Sequence, residues 1–242
     1  MSLRINHHVL EQTHYDSGLL GQLGFVVHPY PEPGRYKVEI YRHDKLQRSF
    51  LLEVNASSGD SQLSIDLAAT EHKRPPQTAC CCDEDSDSDY KSRQLAKGGY
   101  ALFYVGSGSG GYHVKSYALD PDSKQSSFDS TRLNRGDLFG ITLIRPGHYH
   151  VTNTPKKRHG NISVEAITSG KAPYQPPDAL QIEVDTLADQ NNAVTLTQAQ
   201  GMVFHASSED RILIELDADT IKKQQQEENR KTARWRKNRR KR

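Results

Sequence analysis

The stretch ITLIRPGHYHVTNT, Ile141 to Thr154, decides how the rest of the chain is read. Apolar and polar residues alternate up to Pro146-Gly147 and alternate again through HYHV. A period of two marks a strand with one buried face. A Pro-Gly pair marks a turn, since proline fixes φ and glycine accepts a positive one. If Tyr149 and Val151 face inward, His148 and His150 face outward, because alternate side chains take opposite faces.

Outward from this stretch the same pattern recurs. GYALFYV, YHVKSYAL, DLFGITLI, NISVEAI, LQIEV, AVTLT, GMVFHA and RILIEL are short, mostly alternating and separated by Gly, Pro, Asp or Asn. No amphipathic helical run separates them, so a β/α architecture is not expected. Upstream, Tyr36, Val38 and Ile40 alternate into YRHDKLQRSF, a hairpin reversal, and Phe50, Leu52 and Val54 alternate on the return. SQLSIDLAA reads as a further strand. The spacing predicts an all-β protein built as a sandwich or barrel. An apolar share of 34% over 242 residues predicts one modest core with polar, irregular connections.

Four parts are expected: an N-terminal β segment over 1–70, a loop or linker over 71–97, a β-sandwich over 98–216 and a basic tail over 217–242. Residues 1–24 are polar and weakly patterned, without the apolar run of a signal peptide, and the longest apolar runs are too short to span a membrane. A cytoplasmic protein is expected. EPGRYKVEI (32–40) and RPGHYHVTN (145–153) share P-G-x-Y-x-V, an echo compatible with two sandwich-like halves.

Several motifs are read as structural. Cys80, Cys81 and Cys82 are adjacent, which suits neither a disulfide framework nor a zinc spacing, so a reduced thiol cluster is expected in the loop. The loop also carries five acids among the seven residues from Asp83 to Asp89. GSGSGG (106–111) matches G-x-G-x-x-G, but an alternating segment follows where a phosphate site needs a helix N-terminus; a hairpin loop is expected instead. G-x-S-x-G, the P-loop and H-E-x-x-H motifs are all absent from the sequence, and no catalytic residues or cofactor are assigned.

A family resemblance rests on two segments. GDLFGITLIRPGHYHVTNTPKKRHGNISVEA (136–166) resembles the closing hairpin of cupredoxin-like domains: an apolar strand, P-G-x-Y, a loop, then Gly160, Ile162 and Val164 as G-x-I-x-V. LQIEV and AVTLTQAQGMVFHASSEDRILIEL, within 180–216, resemble the opening strands of that fold, in reversed order along the chain. The resemblance puts the copper cysteine at Asn153, the following histidine at Lys156 and the early histidine near Asp210 or Arg211. The methionine has no counterpart, although His159 lies close. It therefore implies an immunoglobulin- or cupredoxin-like sandwich without the copper centre, since blue copper needs a thiolate and two imidazoles. His148, His150 and His159 are the residues from which another metal site could be built, and surface exposure is the expected state of the first two.

The tail is the clearest interaction signal. Lys222 to Arg242 holds 11 Lys/Arg against two Glu, a charge of +9, while the remainder carries 21 basic and 28 acidic residues, or −7. The binding residues expected are Arg230, Lys231, Arg234, Trp235, Arg236, Lys237, Arg239, Arg240, Lys241 and Arg242. Asp217 or Asp219 could cap a helix there, yet no apolar stripe follows, so the helix is expected to be solvated. A non-enzymatic structural or interaction protein, docked by its tail onto an acidic protein partner or neighbouring subunit, is the leading expectation. Nucleic acid is the second partner class, an anionic membrane surface the third, and a histidine metal module a further reading.

Overall fold

The computed structural model describes residues 7–69, 92–120, 128–167, 174–189 and 194–239. Cys80–Cys82, Asp83–Asp89 and Arg240–Arg242 lie outside them. The chain is mostly β, in two mixed sheets, with a long helix at its C-terminal end.

In chain order the elements begin with a short helix α1 (His7–Glu11), β1 (His14–Asp16), β2 (Gly24–Pro29), β3 (Gly34–Arg42), β4 (Lys45–Asn55) and β5 (Asp60–Asp66). They continue with β6 (Arg93–Tyr104), β7 (Tyr112–Ala118), β8 (Phe128–Asp129), β9 (Leu138–Thr142), β10 (Gly147–Asn153) and β11 (Arg158–Glu165). The last are β12 (Leu180–Glu183), a 3-10 turn (Val184–Asp189), β13 (Val194–Thr197), β14 (Gly201–His205), β15 (Ile212–Leu216) and helix α2 (Ala218–Arg239).

One sheet has five strands in the order β1-β15-β10-β11-β13. The other runs β12-β14-β9-β2-β6-β4-β3-β7-β8, with β5 also on β6, and curls strongly into a half-barrel. β6 joins its parts. Its first residues pair parallel with β4, and its later ones lie between β2 and β5. Strands from both sides of the expected loop thus share one sheet, and β6 already begins at Arg93, inside the 71–97 range.

Alternation explains the core. Tyr36, Val38 and Ile40 of β3, Tyr149 and Val151 of β10, and Ile212, Ile214 and Leu216 of β15 are buried, and all belong to one apolar cluster with Phe139, Met202 and Phe204 of the larger sheet. At roughly 25 cal/mol per Å² of buried apolar surface, such rows supply most of the folding drive. The hairpin reversal falls at His43 and Asp44, with φ of 46° and 63°, the left-handed pair that a two-residue turn needs.

The structure corrects one expectation about connections and adds an element. GSGSGG is not a hairpin loop. It links β6 to β7, which are not neighbours, because β7 pairs with β3. The crossing is tight: a Cβ on Gly111, at φ 86°, would stand 2.4 Å from His43 Cε1. The weakly patterned N-terminus also contributes a strand. β1 pairs with β15, and the buried Asp16 carboxylate takes a two-pronged ion pair from Arg211, at 3.0 Å to Nε and 2.7 Å to Nη2.

Candidate functional site

The arm starts where β15 ends. Asp217 caps α2: its Oδ2 accepts the N–H groups of Asp219 (3.1 Å) and Thr220 (3.2 Å). An acceptor here satisfies donors that have no helical partner, and a carboxylate suits the positive end of the helix dipole. The Thr220 N–H, first among the causes, holds the Asp217 carboxyl below its ordinary range, and His150 adds to it with Nε2 3.5 Å from Oδ1.

The root of α2 is fastened, which the sequence concealed. Ile221 packs against the core cluster. Gln224 bridges to the β9–β10 turn, giving its Nε2 hydrogen to Pro146 O (2.8 Å) and accepting from Arg145 Nε (2.6 Å). Gly147, at φ 145°, leaves the space that Thr220 needs, since a Cβ there would stand 2.5 Å from Thr220 Cγ2. Beyond this root the described side chains, from Gln225 to Trp235, are exposed. The helix has 22 residues, about 33 Å at 1.5 Å per residue. Arg230 and Lys231 are exposed and Trp235 is 59% exposed. Arg234, Arg236, Lys237 and Arg239 lie on the same helix, so the basic run follows one rod and favours the negative end of its dipole.

The histidines take separate partners. His148, His150 and His159 are all exposed, while Tyr149 between the first two is buried. His150 Nδ1 faces Asn161 Oδ1 at 3.0 Å and His159 Nδ1 faces Thr152 Oγ1 at 3.3 Å. Among the described residues, no three metal-ligating side chains converge.

The positions that the resemblance assigns to copper ligands do converge. Asn153 Nδ2 donates to Asp210 Oδ1 (2.7 Å), and Lys156 Nζ stands 2.9 Å from the same oxygen. Asp210 Oδ2 accepts the N–H of Ser207 (2.7 Å). Burial works to raise the Asp210 carboxyl, but the Lys156 ammonium and the Ser207 and Asn153 donors outweigh it and hold it below its ordinary range. For Lys156, burial is likewise outweighed, by Asp210 and Asp185, and its pKa rises. An ion pair with neutral donors fills this place.

Comparison with protein-family models, with curated proteins and with solved structures finds no match to this chain. No helix among the described residues is long and apolar enough to cross a membrane.

Proposed function

We propose that this is a non-enzymatic interaction protein whose β body is docked onto an acidic protein partner, or a neighbouring subunit of a larger assembly, by the basic arm. The observation that carries this is α2 itself. It is capped and fastened at its root, yet it holds Arg230, Lys231 and Trp235 exposed on a body of opposite net charge. A pre-formed helix loses less freedom on binding than a coil, and tryptophan and arginine are both enriched at energetic hot spots.

The body is a cupredoxin-like sandwich with permuted strand order and no copper centre. Its support is the two-sheet core and the meeting of Asn153, Lys156 and Asp210. The non-enzymatic reading is supported by carboxylates already saturated by their own chain. Glu39 accepts from Tyr41 (2.6 Å) and Tyr117 (3.0 Å) and pairs with Lys37 (3.0 Å), and Asp210 is enclosed as described. A general acid or base needs an oxygen free for substrate.

The exposed Trp235 within the arginine run favours nucleic acid as the second reading, since an aromatic ring can stack on a base while arginines meet phosphates. One experiment separates the two: capture from native lysate by the full chain and by residues 1–221, with and without nuclease, across a salt series. A protein that survives nuclease and needs the arm supports docking. Loss of all capture on nuclease treatment, with a salt slope reduced by changing Arg234, Arg236, Arg239 and Arg240 to Ala, makes nucleic acid the partner.

A further inference from the structure

An open cleft of about 610 Å³ lies at the root of the arm, between α1, the β9–β10 turn and α2. Its half-buried floor holds Arg145, Gln198 and Gln224. Among the described residues Arg145 has no carboxylate partner, and its one side-chain hydrogen bond runs from Nε to Gln224 Oε1 (2.6 Å). Both Nη groups are left as donors, in the planar fork that fits a carboxylate. Gln198 is oriented by the Ile167 N–H, which donates to its Oε1 (3.3 Å), so its NH2 group is also a donor without a partner among the described residues. Gln224 Nε2 is already committed to Pro146 O.

The floor therefore offers a fixed cation and an amide donor, and among the described residues no acceptor takes the Arg145 Nη groups or the Gln198 NH2 group. Its charge is felt locally: burial drives the Tyr15 phenol up, and Arg145 opposes that, leaving it at about 12. The rim sets what kind of anion can enter. It carries Lys231 but also Glu11 and Glu227, all exposed. Two carboxylates at the mouth repel a polyanion more strongly than a single carboxylate on an otherwise neutral chain, and for the latter Arg145 and Lys231 offset the repulsion.

The geometry points to a binding site for one peptide carboxylate, held bidentately by Arg145 with Gln198 beside it and Lys231 at the rim. In assigning the cleft to the docked partner it rests on the docking reading, of which it names a contact. The carboxylate is that of an Asp or Glu side chain or of a chain terminus.

The test uses the full chain and fluorescent probe peptides, titrated by polarisation. One is acetylated and amidated with a single Glu among Gly and Ser; one is neutral with a free C-terminus; one is neutral and amidated. Saturable binding of either carboxylate peptide but not the third is expected, and which of the two binds names the source. Arg145→Ala is expected to weaken binding at least about tenfold, and the exposed Lys231→Ala about two- to threefold. Arg145→Lys, which keeps the charge and loses the fork, falls between wild type and Arg145→Ala. Thermal unfolding of each variant identifies any loss that comes from misfolding, and Lys231→Ala, on the surface, keeps the test valid if Arg145→Ala does not fold. Equal binding of all three peptides, or binding unmoved in folded Arg145 and Lys231 variants, overturns the site. Displacement by inorganic phosphate or an oligonucleotide as readily as by free acidic peptide overturns the assignment to carboxylate. None of these outcomes depends on capture from lysate: peptide binding without an arm-dependent partner would end the docking reading alone, and the reverse would end only this one.

Discussion

Tyr36 and Tyr149 make the same hydrogen bond: each phenol donates to the carbonyl four residues before it, Glu32 at 2.9 Å and Arg145 at 2.7 Å. Each ring is buried, and each sits just inside a strand opened by a glycine of positive φ, Gly34 at 154° and Gly147 at 145°. The P-G-x-Y-x-V echo is thus a repeated corner, found once in each sheet. Tyr149→Phe and Tyr36→Phe should each cost about 1 kcal/mol, the net worth of one hydrogen bond, with the ring packing retained. Urea unfolding of the two variants and of their combination measures this, and near-additive losses are expected because the corners lie in different sheets.

Asp210 should be among the costliest positions to change. Asp210→Ala leaves Asn153 and the Ser207 N–H without their acceptor and Lys156 with Asp185 alone, and is expected to destabilise by about 2–3 kcal/mol. The pH dependence has a defined sign. The folded carboxyl titrates below its ordinary value of 3.8, so its stabilisation is complete above that value and is lost as pH falls below it. Chemical denaturation between pH 5 and about pH 2.5 should show a shallower acid limb in Asp210→Asn than in wild type.

His113 should give a separate, milder acid response. It is buried, its ring lies parallel to Tyr41 at 4.9 Å, and its Nδ1 has no hydrogen-bond partner among the described residues. Burial, the largest cause, depresses its pKa below 6.5; Asp129 and Asp44 oppose the shift, while Lys115 and Arg211 add to it. The unfolded chain therefore binds the proton more readily, and stability should decline as pH falls from about 6.5 towards 5, above the carboxylate range. His113→Phe keeps the stack and removes this slope, which a denaturation midpoint measured at each pH would reveal.

The cap of α2 should govern how much of the arm is helical. Asp217→Ala removes the acceptor for the Asp219 and Thr220 N–H groups and is expected to lower the 222 nm circular dichroism signal. Asp217→Asn should retain most of it. A signal unchanged in Asp217→Ala would mean that Ile221 and Gln224 hold the helix without the cap.

Local pattern made the strands legible and left their assembly hidden. Every strand expected after residue 97 is present, because the alternation of residues such as Tyr149 and Val151 reports one buried face directly. Periodicity does not report which strands are neighbours. The parallel pairs β4–β6, β5–β6, β11–β13 and β12–β14, and the role of β6 in joining the two halves of the larger sheet, depend on contacts remote in sequence. The arm was legible as charge, and its cap as one of two candidates, Asp217 or Asp219, of which Asp217 takes the role. The fastening by Gln224 and an Arg145 with no carboxylate partner among the described residues were not, since neither a glutamine nor a lone arginine leaves a sequence signature. β1 was hidden for a similar reason: three residues are too few to alternate, and Arg211, the partner that fixes Asp16, lies near the other end of the chain.

The arm leaves the body directly from β15, a strand with hydrogen-bonded neighbours on both sides, β1 and β10. Tension applied to the arm along the strand axis would load those bonds together in shear instead of peeling them apart one by one. The root of the arm would then resist a directed pull better than its solvated helix suggests, and under sustained force the helix would uncoil well before the sheet gave way.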